Sequence, residues 1–238
     1  MNSTNNYSSG EMKTGIIFFS RSRNCEARNK KWHSSHTKNL EIAHHLIERT
    51  KSVLANAEHD VILIDETKQR GQTFGEKIRF AFEDTYQLGY DRLILVGNDS
   101  LGLSEKYVTE SIDFLSENSF VFGATEDNGL YLIGFERDFF NHKSEKIASL
   151  PWLTNRLVGE FSKLTNFKGI SILPILKDLN TVEDIKQLLR SGFDAFSEAI
   201  RVIIHGISIV LKRNKVSLSL NVEYARIKKR GPPNFLLQ

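Results

Sequence analysis

A chain of 238 residues is long enough to bury a sizeable core in one large domain, and its 40% hydrophobic content is ordinary for a globular protein. Its 32 lysines and arginines barely exceed its 29 acidic residues, which argues against a dedicated nucleic-acid binder with a strongly basic face. Cys25 is the single cysteine, so an intramolecular disulfide and a cysteine-based zinc site are both excluded. The first ten residues are polar and carry neither the basic nor the apolar region of a secretion signal, so residues 1–12 are expected to form a disordered leader. The longest apolar candidate, Val202 to Leu211, is interrupted by His205, Gly206 and Ser208, so no membrane span is expected. The expected compartment is the cytoplasm.

Thr14 to Ser20 is a short apolar run that reads as the first strand of a sheet. Arg21 to Lys31 follows as a polar loop with five positive charges. Such a loop could cradle a phosphate, or it could be a solvated surface loop; it lacks the glycine spacing of a P-loop or a dinucleotide fingerprint. Leu40, Ile42, Ala43, Leu46, Ile47, Val53 and Leu54 recur at helical spacing and predict a helix over 38–54. The histidines around it (His33, His36, His44, His45 and His59) form no zinc-type pair with a carboxylate. A second strand is expected over Asp60 to Ile64.

Two glycines, Gly71 and Gly75, flank a small loop, after which a helix opens with Glu76 in its first turn, where the helix dipole favours an anion. Ile78, Phe82, Tyr86 and Leu88 form its expected inward stripe, and Gly89 stands in the position of a C-terminal helix glycine. Asp91 to Val96 is the third strand. It runs into Gly97-Asn-Asp-Ser-Leu-Gly-Leu103, which places Asp99 just past the carboxyl end of a buried strand, where open α/β sheets bind their ligands. Asp99 there could hold a metal or substrate, or merely satisfy backbone donors in a turn.

A helix over 104–116 carries Val108, Ile112 and Leu115 inward, and Ser119 to Thr125 is a further strand. The turn Glu126-Asp-Asn-Gly129 leads back into a strand over Leu130 to Phe135. Asp127 thus follows a strand end 28 residues after Asp99, and two carboxylates at neighbouring strand ends could share a cation or divide metal binding from base work. The alternative is a plain hairpin turn. Trp152, between Pro151 and a helix expected over 155–164, could wall a pocket or staple the start of that helix. A strand over 169–173 precedes Asp178-Leu-Asn-Thr-Val-Glu-Asp184, where Asn180 or Thr181 caps a last helix. Alternating strands and helices define an α/β fold with a mostly parallel sheet. Residues 191–238 break the pattern and read as an appendage packed on a core domain of residues 13–190, with a possible helix over 193–211 and an alternating strand over 215–224.

Five pieces in order resemble a bacterial glycosyltransferase-A-like family of the nucleotide-diphospho-sugar transferase superfamily, some members of which are assigned to arsenosugar biosynthesis. They are Gly71-Gln-Thr-Phe-Gly-Glu-Lys, Val96-Gly-Asn-Asp-Ser-Leu-Gly-Leu, Gly123-Ala-Thr-Glu-Asp-Asn-Gly-Leu-Tyr-Leu-Ile-Gly, Leu150-Pro-Trp-Leu-Thr and Asp178-Leu-Asn-Thr-Val-Glu-Asp. The likeness spans roughly residues 14 to 190. It implies a Rossmann-like three-layer sandwich and a metal-dependent glycosyltransferase with a nucleotide-diphospho-sugar donor. It implies Mg²⁺ or Mn²⁺ on Asp99, stabilising the diphosphate as leaving group. Ser20, Arg21, Arg23, Gly75 and Gly97 would then contact the nucleotide, Asn128, Gly129 and Trp152 the sugar or acceptor, and Asp127 would be second ligand or base. The chain departs from the family pattern at Leu101 (proline), at Asn128 (glycine), at the Asp178/Asn180 pair (two carboxylates) and in its first loop, which lacks Pro-x-Pro-Gly. Two alternatives share the fold: a relative that binds a nucleotide or partner with impaired catalysis, and a nucleotidyltransferase, against which the missing glycine-rich loop counts.

Overall fold

A computed structural model describes residues 12–164 and 170–190, and the expected leader and C-terminal appendage lie outside these residues, save Met12 at the leader's end. In chain order the elements are β1 (Thr14–Phe19), α1 (Arg23–Asn29), α2 (His36–Ala55), β2 (Asp60–Ile64), α3 (Phe74–Tyr86), β3 (Arg92–Val96) and α4 (Glu105–Glu117). There follow β4 (Phe120–Thr125), β5 (Leu130–Glu136), α5 (Arg137–Ala148), α6 (Leu157–Ser162), β6 (Ile170–Leu176) and α7 (Val182–Arg190). The strands form one six-stranded sheet in the order β2-β1-β3-β5-β4-β6. β5 alone runs against its neighbours β3 and β4, and the other pairings are parallel.

Alternation along each strand sends side chains to opposite faces, and both faces are buried. On one face Ile17, Phe19, Leu93, Leu95, Phe120, Phe122 and Phe135 pack against α3, α5 and α6. The aromatic rings there lie close, Phe82 being 5.0 Å from Phe135 and Phe120 4.9 Å from Phe161 between centroids. On the other face Ile16, Phe18, Ile94, Val96 and Val121 meet residues of α2 and α4. This is the expected three-layer α/β sandwich. A third, smaller cluster joins Ala27 and Trp32 to Ile42, Leu46, Leu101, Leu179 and Ile185.

Several expectations are corrected. The loop expected over Arg21 to Lys31 contains a helix, α1, capped by the Ser22 hydroxyl, which accepts from the Cys25 amide at 3.4 Å. Its inward side holds only Glu26 and Ala27, too few apolar positions to register as a periodic stripe. Leu88 lies past the end of α3 and is 62% exposed, so the inward stripe closes at Tyr86. Gly89 does adopt the left-handed conformation, at φ 94°, that a chain leaving a helix often needs. α5 was not anticipated, because only Phe140 and Ile147 of its twelve residues are buried. The strand beside β3 is β5 rather than β4, so Asp127 sits on the hairpin turn next to β3's carboxyl end, not on an adjoining parallel strand.

Candidate functional site

The strand order places the site. From β1 the chain crosses to β2 on one side, then passes over to β3 on the other, so a crevice opens beyond the carboxyl ends of β1 and β3. A cleft of about 310 Å³ occupies that position. Phe19, Ser20 and Arg21 enter it from β1, and Leu95, Gly97, Asn98 and Asp99 from β3. Phe74, Lys77 and Ile78 of α3 and Trp152 close the far wall, while Glu26, Lys30 and Asn180 close the near one.

The near wall is a charged chain. Glu26 is buried to 2% exposure, and Lys30, one helical turn on, pairs with it at 3.2 Å and reaches the Asp99 carboxylate beyond. Arg21 lies 3.5 Å from the other side of Glu26. Burial pushes the Glu26 carboxyl up, the Lys30 charge opposes that, and Asp99 adds to it. The Lys30 side chain is 12% exposed, and its ammonium meets the carboxylates as an ion pair without an aligned hydrogen bond. The Asn98 amide nitrogen is likewise buried in the cleft wall without a partner.

Three parts of the chain are stitched together to hold these groups. Trp32, just after α1, donates its indole N–H to the Leu179 carbonyl at 2.8 Å. The Leu179 amide in turn donates to the Asp99 carbonyl at 3.0 Å, and the Ser100 hydroxyl donates to the Asp178 carboxylate. Thr181 caps α7, its hydroxyl accepting from the Asp184 amide at 3.2 Å while Asp184 accepts from the Thr181 amide at 2.6 Å. Asp178 is thereby fixed in a largely buried position. Burial pushes its carboxyl up to about 6, the Ser100 hydrogen bond opposing and the Asp99 and Asp127 charges assisting.

The opposite wall is mainly apolar, with Lys77 its charged member. Trp152 packs its ring 5.6 Å from Phe74 and 6.1 Å from Phe161 and donates its N–H to the Ile147 carbonyl at 2.8 Å. It therefore lines the cleft and fastens the turn after α5 at once. Gly75 stands behind it: a Cβ there would overlap the Ala148 carbonyl and the Trp152 ring. α3 begins at a full capping box, Thr73 accepting from the Glu76 amide at 3.1 Å and Glu76 from the Thr73 amide at 3.0 Å. That cap aims Phe74 and Lys77 at the cleft.

Of the residues singled out in the sequence, Ser20, Arg21, Gly97, Asp99 and Trp152 line the cleft. Arg23 is exposed at the start of α1, and Gly75 serves the packing of α3 on α5. Asp127, Asn128 and Gly129 form a turn at the same edge of the sheet, outside the cleft lining. Asn128 has φ 59°, a conformation open to glycine and tolerated by asparagine, which accounts for asparagine standing at the family's glycine position. A Cβ on Gly129 would lie 3.7 Å from an Asp178 carboxylate oxygen, so this turn faces Asp178. Sequence reasoning missed Lys30, Glu26, Asn98, Phe74 and Lys77. The i,i+4 spacing of Glu26 and Lys30 was the available signal for the first two.

The resemblance implies a divalent cation on Asp99, and the residues present do not fit one there. The carboxylate is already held by the Lys30 ammonium, and the described residues include no group of three or more acidic, histidine or cysteine side chains placed to hold a metal ion. No described helix is long and apolar enough to cross a membrane.

The fold is that of a protein from Desulfovibrio desulfuricans G20 provisionally described as a nucleotide-diphospho-sugar transferase, whose crystal structure is 19% identical, with 85% of this chain and 98% of that one covered and a TM-score of 0.72. Residues 34–153 match the bacterial family described as "uncharacterized protein conserved in bacteria" (DUF2064), and the chain belongs to it. A cytidylyltransferase from Leptospira borgpetersenii serovar Hardjo-bovis is 14% identical over 86% of this chain and 96% of that one, and its TM-score of 0.40 is too low to carry an argument. The same holds for the manganese complex of Rv0371c from Mycobacterium tuberculosis H37Rv, 14% identical over 76% of this chain and 100% of that one, with a TM-score of 0.41. No curated protein matches the chain.

Proposed function

We propose that the chain is a transferase that binds a nucleotide-diphospho-sugar in the cleft beyond β1 and β3. The observation that carries this reading is a cleft whose cations outnumber its carboxylates and whose far wall is aromatic. Arg21, Lys30 and Lys77 outnumber the two carboxylates, Glu26 and Asp99, so an anion is favoured there. Phe74 and Trp152 offer flat apolar faces for a base or sugar ring on the other side. In this reading Ser20, Arg21 and Gly97 border the nucleotide diphosphate. Arg23, exposed on α1, contributes long-range attraction rather than contact. Asn128 and Gly129 border the acceptor, and Asp127, supported by its nearness to Asp178, is the base that takes the proton from the attacking hydroxyl. Departure of the nucleoside diphosphate would be eased by these cations.

A second reading, binding without turnover, is favoured by one observation: both carboxylates in the cleft lining are paired with Lys30, and Asp127 lies outside that lining. One experiment separates the two. Thermal-shift measurements with ADP, CDP, GDP, UDP and their common sugar conjugates are expected to show stabilisation by at least one nucleoside diphosphate. Release of that diphosphate from its sugar conjugate then reports turnover. Stabilisation without release, with acceptors present, supports the binding-only reading; indifference to every nucleotide rejects both.

A further inference from the structure

We propose that Lys30 is the resident cation of this site, occupying the Asp99 carboxylate in place of a divalent metal ion and, with the Asn98 amide, binding the diphosphate directly. The inference rests on the nucleotide-sugar reading above and goes beyond it by naming the group that neutralises the ligand.

The position of Lys30 is built. α1 ends one residue before it, and its backbone N–H donates to the Glu26 carbonyl at 2.9 Å, so the side chain leaves from a fixed point. Its ammonium is 5.7 Å from the centre of the Trp32 ring, itself locked by the Leu179 hydrogen bond. Glu26, deep in the wall, holds the charge from behind. A solvated surface lysine needs none of these supports.

The site is also left short of partners in a way that points to a ligand. The Asn98 amide nitrogen is a buried donor without an acceptor in the cleft wall, and the Lys30 ammonium on the same cleft meets its two carboxylates as an ion pair. Buried donors without acceptors are costly and are rare in native folds unless something else satisfies them. Diphosphate oxygens are acceptors only, would satisfy the Asn98 donor, and carry the charge opposite to that of Lys30. One ammonium supplies less charge than a divalent ion, and Arg21 and Lys77 on the same cleft supply the remainder.

The test measures binding, not turnover. Isothermal titration of the full chain with ADP, CDP, GDP and UDP is run in EDTA and again in 1 equivalent or more of Mn²⁺. The expected result is equal affinity, within threefold, in the two conditions for whichever diphosphate binds. Lys30→Gln is expected to lose at least tenfold in EDTA, and Lys30→Arg to retain most of the affinity. Because Lys30→Gln strands the buried Glu26 carboxylate, the double variant Glu26→Gln/Lys30→Gln is measured beside it, and the wild-type comparison stands without either. Manganese titration by electron paramagnetic resonance is expected to show no tight site in the wild type. Nucleotide binding that requires Mn²⁺, or a tight Mn²⁺ site in the wild type, overturns the inference and leaves the nucleotide-sugar reading intact. Absence of binding in both conditions overturns both.

Discussion

The Ser100 hydroxyl donates a hydrogen bond to the Asp178 carboxylate, tying the loop after β3 to the segment after β6. The pair sits where Asp99, Lys30 and the Asp127 turn converge. It joins two of the motifs that the sequence shows as separate pieces, and it gives the site its most strongly shifted carboxyl.

That shift makes stability depend on pH. Asp178 titrates near 3.8 when free and is pushed up to about 6 in the fold, chiefly by burial. The native state holds this proton longer than the unfolded chain, so the associated stability is complete below pH 3.8 and is lost as pH rises to about 6. The loss amounts to about 2 kcal/mol after allowance for partial exposure. Asp178→Asn keeps an acceptor for Ser100 and removes the charge. Urea denaturation is expected to show a variant more stable than wild type at pH 7 and nearly equal to it at pH 4. A difference that does not change between these pH values would contradict the assignment.

The cations of the cleft give a second expectation. Arg21→Glu and Lys77→Glu each reverse a charge at the cleft without removing core contacts. Each is expected to weaken nucleoside diphosphate binding by about tenfold, the scale of one charge-assisted hydrogen bond. Arg23→Glu, on the exposed start of α1, should weaken it much less. Titration calorimetry at two salt concentrations checks this, since the Arg23 effect should vanish at high salt while the Arg21 effect persists in part.

The layered α/β fold was legible because its strands are buried on both faces and read as continuous apolar runs, as in Leu93 to Val96. The place of Asp99 on the cleft was legible for the same reason, since a carboxylate just past such a run falls beyond the carboxyl end of its strand. What escaped was α1, whose single inward turn consists of Glu26 and Ala27, a charge and a methyl group. Lys30 went with it. A buried ion pair leaves no hydrophobic period, and its partner Asp99 is 69 residues away in the chain. Gly75 enters as a nucleotide contact only through the family resemblance; the packing that requires a glycine there comes from Ala148 and Trp152, which no local pattern announces.

The α3 cap offers a milder perturbation of the same wall. Thr73→Ala removes the hydroxyl that accepts from the Glu76 amide and is expected to cost about 1 kcal/mol of stability. Thr73→Ser should restore most of it. For a domain of this size the Ala variant should melt roughly 2–4 °C lower. A Ser variant no better than Ala would show that the methyl group, and not the cap, carries the effect.

Gly75→Ala tests whether the aromatic wall depends on close helix packing. A Cβ at this position meets the Ala148 carbonyl, a backbone atom that cannot rotate away, and the Trp152 ring. α3 and the end of α5 must separate to admit it, which is expected to cost roughly 1–3 kcal/mol. The displacement has a local reporter. Trp32 is buried in a different apolar cluster from the one Trp152 packs against, and in a Trp32→Phe background the fluorescence comes from Trp152 alone. Gly75→Ala should shift that emission to longer wavelength as the ring loses contact with Phe74 and Phe161. A lower melting temperature with unchanged Trp152 emission would mean that the strain is absorbed in the α5 backbone and that the cleft wall is preserved. A lower melting temperature together with the emission shift would tie the shape of this cleft wall to a single missing methyl group on α3.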